Sequence, residues 1–269
     1  MASSSAGKNF LEKAAPFLLV VSLGLAFFAG NLWQKEKGRS KTQEEVTTAQ
    51  GTSPQKPNIT IGQVKDVFGK SVIKFGNGNS KVVFLEISDP SCPYCNVAAG
   101  KNPELNRQID PTNNAFKLVS DGGKYVPPVP EMRKLAEEGK ALYSIIYFPG
   151  HGNGELAMKA LYCAYDMGKY WQVHDLLMSK KGYDLINNEV KNDMGKSGVL
   201  VDFLKSAVDS NKLKECLDSG KYNDRLAQDQ ELASSLGSQG TPNFFVNENN
   251  FAGAYSFVDI KPAVDEALK

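Results

Sequence analysis

The chain alternates between short apolar runs and long stretches of helical periodicity. Residues 82–87 form a short, largely apolar run rich in β-branched side chains, and residues 141–148 form a second largely apolar run, which predicts two buried strands. Residues 155–236 carry helical patterns punctuated by glycine. Residues 240–255 return to a strand pattern with a turn in the middle, which predicts a hairpin, and residues 258–268 predict a closing amphipathic helix. The order is strand, then helices, then strand again, which indicates an α/β fold.

The N-terminal part of the chain has a different pattern. After a polar flank at 1–13, residues 14–33 contain no charged side chain, and about twenty residues are what a hydrocarbon core needs. Residues 34–58 are polar and predict a flexible linker before a folded domain at 59–269. We therefore predict one transmembrane anchor. The alternative is a cleaved signal peptide, but a small-x-small cleavage site is poorly formed here.

Composition adds few constraints. The 269 residues are 41% hydrophobic and 23% charged, which is ordinary for a globular protein. The formal net charge of +1 gives no reason to expect a nucleic-acid partner. Four cysteines are too few for a disulfide-built miniprotein, but they allow one catalytic pair and one structural pair.

The sequence Cys92-Pro93-Tyr94-Cys95 follows the first predicted strand and a turn at 89–91. Pro93 suits the first turn of a helix, where its missing N–H would have no partner. Cys92 would then lie at the helix N-terminus, whose dipole favours the nucleophilic thiolate. Cys95 is one turn further on the same face, where it can resolve a mixed disulfide formed by Cys92.

Two other interpretations of this motif stay open. A CxxC sequence is also half of a zinc site, although a zinc ribbon needs a second CxxC within about 15–20 residues, and the sequence has none. The other alternative is a structural pair that is chemically inert. We expect both histidines, His151 and His174, to be structural. The prediction is therefore a redox-active disulfide with no metal and no other cofactor.

The remaining cysteines, Cys163 and Cys216, lie in the helical stretch. Four cysteines allow three connectivities, and if Cys92 pairs with Cys95, these two form the remaining pair. The alternative is two buried free thiols. Residues 110–130 are rich in Asp, Asn, Gly and Pro, and we expect a surface loop there, with a lid or peptide-contacting rim as the alternative.

Four segments, taken in their order and spacing, resemble the DsbA-like thiol–disulfide oxidoreductases of the thioredoxin superfamily. The resemblance covers most of 59–269. The segments are FLEISDPSCPYC at 84–95, CAYDMGKYWQVHDLL at 163–177, KECLDSGKY at 214–222, and GTPNFFVN at 240–247 followed by Gly253.

The resemblance implies a thioredoxin-like fold with a helical domain inserted at about 155–236. It implies that Cys92 is the nucleophile and Cys95 the resolving cysteine, with Pro93 and Tyr94 between them. It also implies that Glu86 is a buried acid that relays the Cys95 proton. The alternative for Glu86 is an edge or solvent-facing strand position.

The same resemblance matches Pro242 to a cis-proline and places substrate backbone beside Thr241 and Pro242. It matches Cys163 and Cys216 to an additional disulfide that a subset of the family carries in its helical part. The Pro-Tyr dipeptide departs from the Pro-His of the strongest oxidases in the family. The stretch 103–131 is also longer than usual.

The sequence therefore predicts a membrane-anchored enzyme that forms disulfides in cysteine-containing substrate proteins. The family implies a membrane redox partner that reoxidises it. Lys and Arg are no rarer after the predicted span than before it, so charge counting does not favour an extracytoplasmic domain. The cysteines do favour it, since disulfides persist in oxidising compartments. The alternatives are a disulfide reductase or isomerase with the same site, and a non-catalytic thioredoxin-fold binding module.

Overall fold

The computed structural model describes residues 59–76 and 78–269. The strands are β1 Ile73–Gly76, β2 Val82–Ser88, β3 Ala141–Tyr147, β4 Asn243–Val246 and β5 Asn249–Ala252. The α-helices are α1 Ile61–Lys70, α2 Pro93–Ala99, α3 Pro103–Gln108, α4 Pro128–Glu137, α5 Glu155–Asp166, α6 Tyr170–Leu177, α7 Lys180–Asp184, α8 Ser197–Leu204, α9 Ser210–Asp218, α10 Asn223–Ser235 and α11 Phe257–Leu268.

The predicted anchor at 14–33 and linker at 34–58 lie outside the described residues. Within the ranges that are described, no helix combines the length and the apolar character needed to cross a membrane.

The five strands form one sheet in the order β1-β3-β2-β4-β5. The neighbours β2 and β3 run parallel, and the other pairs are antiparallel. Every residue of β2, β3 and β4 is buried, because helices cover both faces of the sheet. This explains why β2 and β3 are largely apolar in the sequence instead of alternating regularly between apolar and polar positions.

The two faces of the sheet carry separate apolar clusters. Val83, Leu85 and Ile87 of β2 face α1 and α10, whereas Val82 and Phe84 belong to the larger cluster that includes α4, α5 and α6. Side chains of a strand alternate between its two faces. Glu86 therefore points into the larger cluster.

The long helical stretch lies between β3 and β4, so the predicted order of strands and helices is confirmed. One part of it is irregular, since residues 185–190 form a π-helix that ends at Lys191 with φ 51°. Cys163 of α5 and Cys216 of α9 form a disulfide with a Cα–Cα distance of 6.0 Å. This bond joins cysteines that are 53 positions apart in the sequence.

The expectation of a surface loop at 110–130 is wrong for its last part. Residues 128–130 form the first turn of α4, where proline is well tolerated because the first N–H groups of a helix have no partner inside it. Leu118 and Tyr125 are also buried in the larger cluster. Apart from these two residues, positions 110–127 are exposed or half-buried, so this part of the segment is a surface loop that is attached to the core by two side chains.

Candidate active site

The redox motif lies where β2 ends and α2 begins. Cys92 is the N-cap residue of α2 and has extended backbone geometry, and Pro93 occupies the first helical turn. The Cys92 N–H donates to the Asp89 carbonyl at 2.9 Å, which closes the turn after β2. Both Cys92 and Cys95 are buried and neither is in a disulfide. Tyr94, by contrast, is 43% exposed.

The two thiols have opposite ionisation properties. The pKa of Cys92 is lowered to about 7, mainly by a hydrogen bond from the Cys95 thiol. The Thr241 side chain and the backbone N–H groups of Cys95 and Tyr94 lower it further, whereas burial opposes the shift. Burial raises the pKa of Cys95 well above 9.0, and the neighbouring Cys92 raises it further. Cys92 is therefore the thiol that ionises near neutral pH, and Cys95 stays protonated.

Thr241 and Pro242 lie directly beside the nucleophile. The peptide bond between them is cis. The Cys92 thiol donates to the Thr241 carbonyl oxygen with an S···O distance of 3.4 Å. Residues 239–243, 248–250 and 252–253 contribute to the lining of a cavity of about 740 Å³ that begins at this loop. The structure thus brings together the predicted nucleophile and the predicted substrate-binding residues, which are 149 positions apart.

Asp89 connects the turn before Cys92 to the loop that follows β3. It is fully buried, and one carboxylate oxygen accepts from the N–H and hydroxyl groups of Ser91. The other oxygen accepts from the backbone N–H groups of residues 150–152. The sequence indicated only a turn at 89–91, although a carboxylate between a buried strand and a reactive cysteine was a signal for a larger role.

Asn187, within the π-helix, attaches the helical part of the chain to the redox turn. Its side-chain amide donates to the Ser91 carbonyl at 3.2 Å and accepts from the Asn153 side chain at 3.2 Å. Nothing in the local sequence marked Asn187, because these contacts cross 96 and 34 residues of sequence.

An aromatic row runs from the redox dipeptide into the segment before α4. The rings of Tyr94 and Phe116 meet edge to face with centroids 5.7 Å apart, and Phe116 meets Tyr125 in the same way at 5.5 Å. The 110–130 segment therefore reaches Tyr94 through Phe116, and its role as a lid or peptide-contacting rim stays a prediction.

Glu86 is buried in the central strand β2, so the alternative of an edge or solvent-facing position is wrong. Burial raises its pKa, while the hydrogen bond from the Tyr143 hydroxyl and the nearby His174 lower it. Among the described residues, Glu86 makes no hydrogen bond to either redox cysteine. A direct proton transfer to Cys95 is therefore not visible in this geometry.

The two histidines lie in different surroundings. His151 is exposed and its backbone N–H donates to Asp89. His174 is buried in α6, where its ring stacks on Tyr170 and Nδ1 lies 3.1 Å from a carboxylate oxygen of Asp175. A zinc site would need additional ligands near the CxxC pair. In residues 59–76 and 78–269, no group of three or more His, Cys, Asp and Glu side chains is arranged to hold a metal.

The sheet order, the helical insertion between β3 and β4, and the cysteine pair at a helix N-terminus define a thioredoxin-like fold. Residues 130–266 match the sequence profile of a family described as thioredoxin, which is just over half of the chain. The chain belongs to this family. The matched region contains the Thr241–Pro242 loop but begins after the CPYC motif, so the evidence for that motif is its geometry.

Several solved structures share the fold. The oxidised BdbD of Bacillus subtilis is 22% identical, with a TM-score of 0.51 over 72% of this chain and 91% of its own. The thiol-disulfide exchange protein alpha-DsbA2 of Wolbachia pipientis is 20% identical, with a TM-score of 0.52 over 77% and 92%. The catalytic domain of Proteus mirabilis ScsC is 18% identical, with a TM-score of 0.53 over 78% and 98%. No curated protein sequence matches significantly. The predicted DsbA-like fold of the thioredoxin superfamily is thus confirmed.

Proposed function

We propose that this protein is a membrane-anchored thiol–disulfide oxidoreductase that forms disulfides in substrate proteins outside the cytoplasm. The observation that carries the proposal is the asymmetry of the CPYC pair. A thiol that ionises near neutral pH lies beside the Thr241 carbonyl, and a buried protonated thiol lies one helical turn behind it. This arrangement is what a nucleophile and a resolving group require.

The reaction begins with the Cys92–Cys95 disulfide. A substrate thiolate attacks Cys92 Sγ, the enzyme S–S bond breaks, and its electron pair leaves on Cys95 Sγ, which takes up a proton. A second substrate thiolate then attacks the substrate sulfur of the mixed disulfide, and Cys92 leaves as a thiolate. Two electrons pass from the substrate thiols to the enzyme pair. A membrane oxidase that passes these electrons to a quinone is the class of partner we propose for reoxidation.

Two features support the extracytoplasmic location and the anchor. The disulfide between Cys163 and Cys216 needs a compartment in which disulfides persist. The uncharged stretch at 14–33 has the length of a membrane span. The redox pair itself carries the electrons, so the proposal includes no other cofactor.

One observation favours a second candidate, a reductase or isomerase. The Cys92 pKa of about 7 resembles the value of about 7 for thioredoxin more than the value of about 3.5 for DsbA. A less stabilised thiolate makes the disulfide a weaker oxidant, because the reduced form gains less stability.

The redox potential of the pair separates these candidates. We would equilibrate the full-length chain in mild detergent with a series of glutathione buffers and measure the oxidised fraction by alkylation, with Cys92→Ser as the control. A two-electron transition near about −120 mV supports the oxidase, and one near about −270 mV supports the reductase. Absence of any transition rejects the catalytic proposal and leaves a binding module.

A further inference from the structure

Asp89 accepts more hydrogen bonds than a residue that only closes the turn before the redox pair would require. It is 0% exposed, and its two carboxylate oxygens accept from five N–H and O–H donors at 2.7 to 3.4 Å. All five partners are donors, so both oxygens must be acceptors. A carboxylate satisfies this demand, whereas an amide offers only one acceptor atom.

The backbone of Asp89 contacts both members of the redox pair. Its N–H points to the Cys95 sulfur at 3.4 Å, and its carbonyl accepts from the Cys92 N–H at 2.9 Å. The position of this residue therefore determines the position of the α2 N-terminus relative to β2.

The loop bonded to the Asp89 carboxylate reaches the other wall of the site. Gly150 lies so close that a Cβ atom there would be 1.8 Å from Thr241 Oγ1 and 3.5 Å from Cys92 Cβ. The loop thus fills the space between the nucleophile and the Thr241–Pro242 segment. Its distance from Cys92 is controlled by its hydrogen bonds to Asp89 on one side and by the Asn192 side chain, which donates to the Gly152 carbonyl, on the other.

We propose that Asp89 is a positioning residue for disulfide exchange. Its carboxylate holds loop 150–152 against the redox turn, which keeps Cys92 beside the Thr241 carbonyl. The inference rests on the proposed exchange function and adds to it a residue that contacts neither substrate nor the exchanging sulfurs through its side chain.

A purely electrostatic role would have the opposite signature. A negative side chain near Cys92 disfavours the thiolate, so removal of the charge alone would lower the Cys92 pKa. Loss of positioning would weaken the hydrogen bonds that the Cys95 thiol and the backbone N–H groups of residues 94 and 95 donate to the thiolate, so the pKa would rise. The direction of the shift therefore distinguishes the two roles.

The first test is Asp89→Asn in the full-length chain, with Asp209→Asn as the matched control. Asp209 also accepts backbone N–H groups at a turn, but it caps α9 in the helical part. We would measure the Cys92 pKa from the pH dependence of alkylation and the rate of reaction with glutathione disulfide. We expect Asp89→Asn to raise the pKa and to slow exchange about tenfold or more, since small misplacements of reacting groups have effects of this size.

Gly154→Ala tests the same idea while the charge is retained. A Cβ atom at Gly154 would be 1.8 Å from Asp89 Oδ1, so the carboxylate must move. We expect this variant to resemble Asp89→Asn, and it carries the test if Asp89→Asn is too unstable to purify. A wild-type rate and pKa in Gly154→Ala, or a lowered pKa with a wild-type rate in Asp89→Asn, would overturn the inference. If wild-type protein itself shows no redox transition, the proposed function fails instead.

Discussion

The thiols of Cys92 and Cys95 differ because of their positions on one helix. Cys92 is at the N-terminus of α2, where N–H groups without intrahelical partners favour an anion. Cys95 is inside the first turn and fully enclosed, so its ionised form would be poorly solvated. One helical turn is therefore enough to separate the ionisation of two identical side chains.

This asymmetry predicts the pH dependence of alkylation in the reduced chain. Because the pKa of Cys92 is lowered to about 7, its thiolate is present above that pH and is lost as the pH falls through it. We expect iodoacetamide to modify Cys92 with a midpoint near pH 7 and to leave Cys95 unmodified up to about pH 9. Mass spectrometry of alkylated peptides checks this, with the unfolded chain as the control. Equal modification of both cysteines at pH 7 would contradict the geometry.

Because Glu86 is buried, we expect replacement of its carboxylate by a neutral side chain to increase the free energy of unfolding. Burial raises its folded-state pKa above 4.5, so its contribution to stability is fully present below the unfolded pKa and is lost as the pH rises through the folded value. Glu86→Gln stays neutral and still accepts from Tyr143. We expect the variant to be more stable than wild type at neutral pH, with a gain that shrinks as the pH falls toward 4, because the wild-type side chain is also neutral there.

Denaturant unfolding at several pH values tests the Glu86 prediction. Glu231→Gln, at an exposed position of α10, is the matched control and should change stability little. A Glu86→Gln variant that is less stable than wild type at neutral pH would show that Tyr143 and His174 more than compensate for burial of the charge.

Whole elements were predictable from sequence where the information is local. β2 is buried on both faces, which produces a largely apolar run, and Pro93 marks the start of α2. Both features can be recognised in a window of a few residues. The prolines at 128–130 were misassigned because proline favours both loops and first helical turns.

The parts that escaped prediction depend on contacts between distant segments. The Asp89 carboxylate bonds to residues 61 to 63 positions away, and Asn187 reaches Ser91 across 96 positions. A polar residue after a strand has the same local pattern whether its partner is water or another loop. The role of Asp89 therefore required the folded structure, whereas the cysteines did not.

We expect removal of the disulfide between α5 and α9 to lower the free energy of unfolding substantially. Its loop spans 53 residues, and restricting such a loop in the unfolded chain stabilises the fold by about 4 kcal/mol in the chain-entropy model. We expect the double variant Cys163→Ala/Cys216→Ala to lose stability of this order in denaturant unfolding while retaining disulfide exchange. A loss below about 1 kcal/mol would show that the unfolded chain is already compact.

The molecule contains two kinds of cysteine pair, and together they bear on the cellular compartment in which the domain lies. Cys92 and Cys95 have the features of an exchanging pair, while Cys163 and Cys216 form a bond between helices. A structural disulfide in the same domain is consistent with the proposed extracytoplasmic location. The charges around 14–33 do not indicate an orientation, so the compartment has to be measured directly.

Labelling of Cys92 in intact cells shows on which side of the membrane the domain lies. If the domain lies outside the cytoplasm, a membrane-impermeant maleimide should modify Cys92 without lysis, because this thiol ionises near neutral pH whereas Cys95 does not. The comparison uses cells that express wild type or Cys92→Ser, treated first with a mild reductant that does not cross the membrane. Label that depends on Cys92 and is already maximal before lysis supports the proposed orientation. If Cys92 is labelled only after lysis, the domain lies in the cytoplasm. A reductase is then the better interpretation of a Cys92 pKa of about 7. The Cys163–Cys216 disulfide would also have to persist in a reducing compartment.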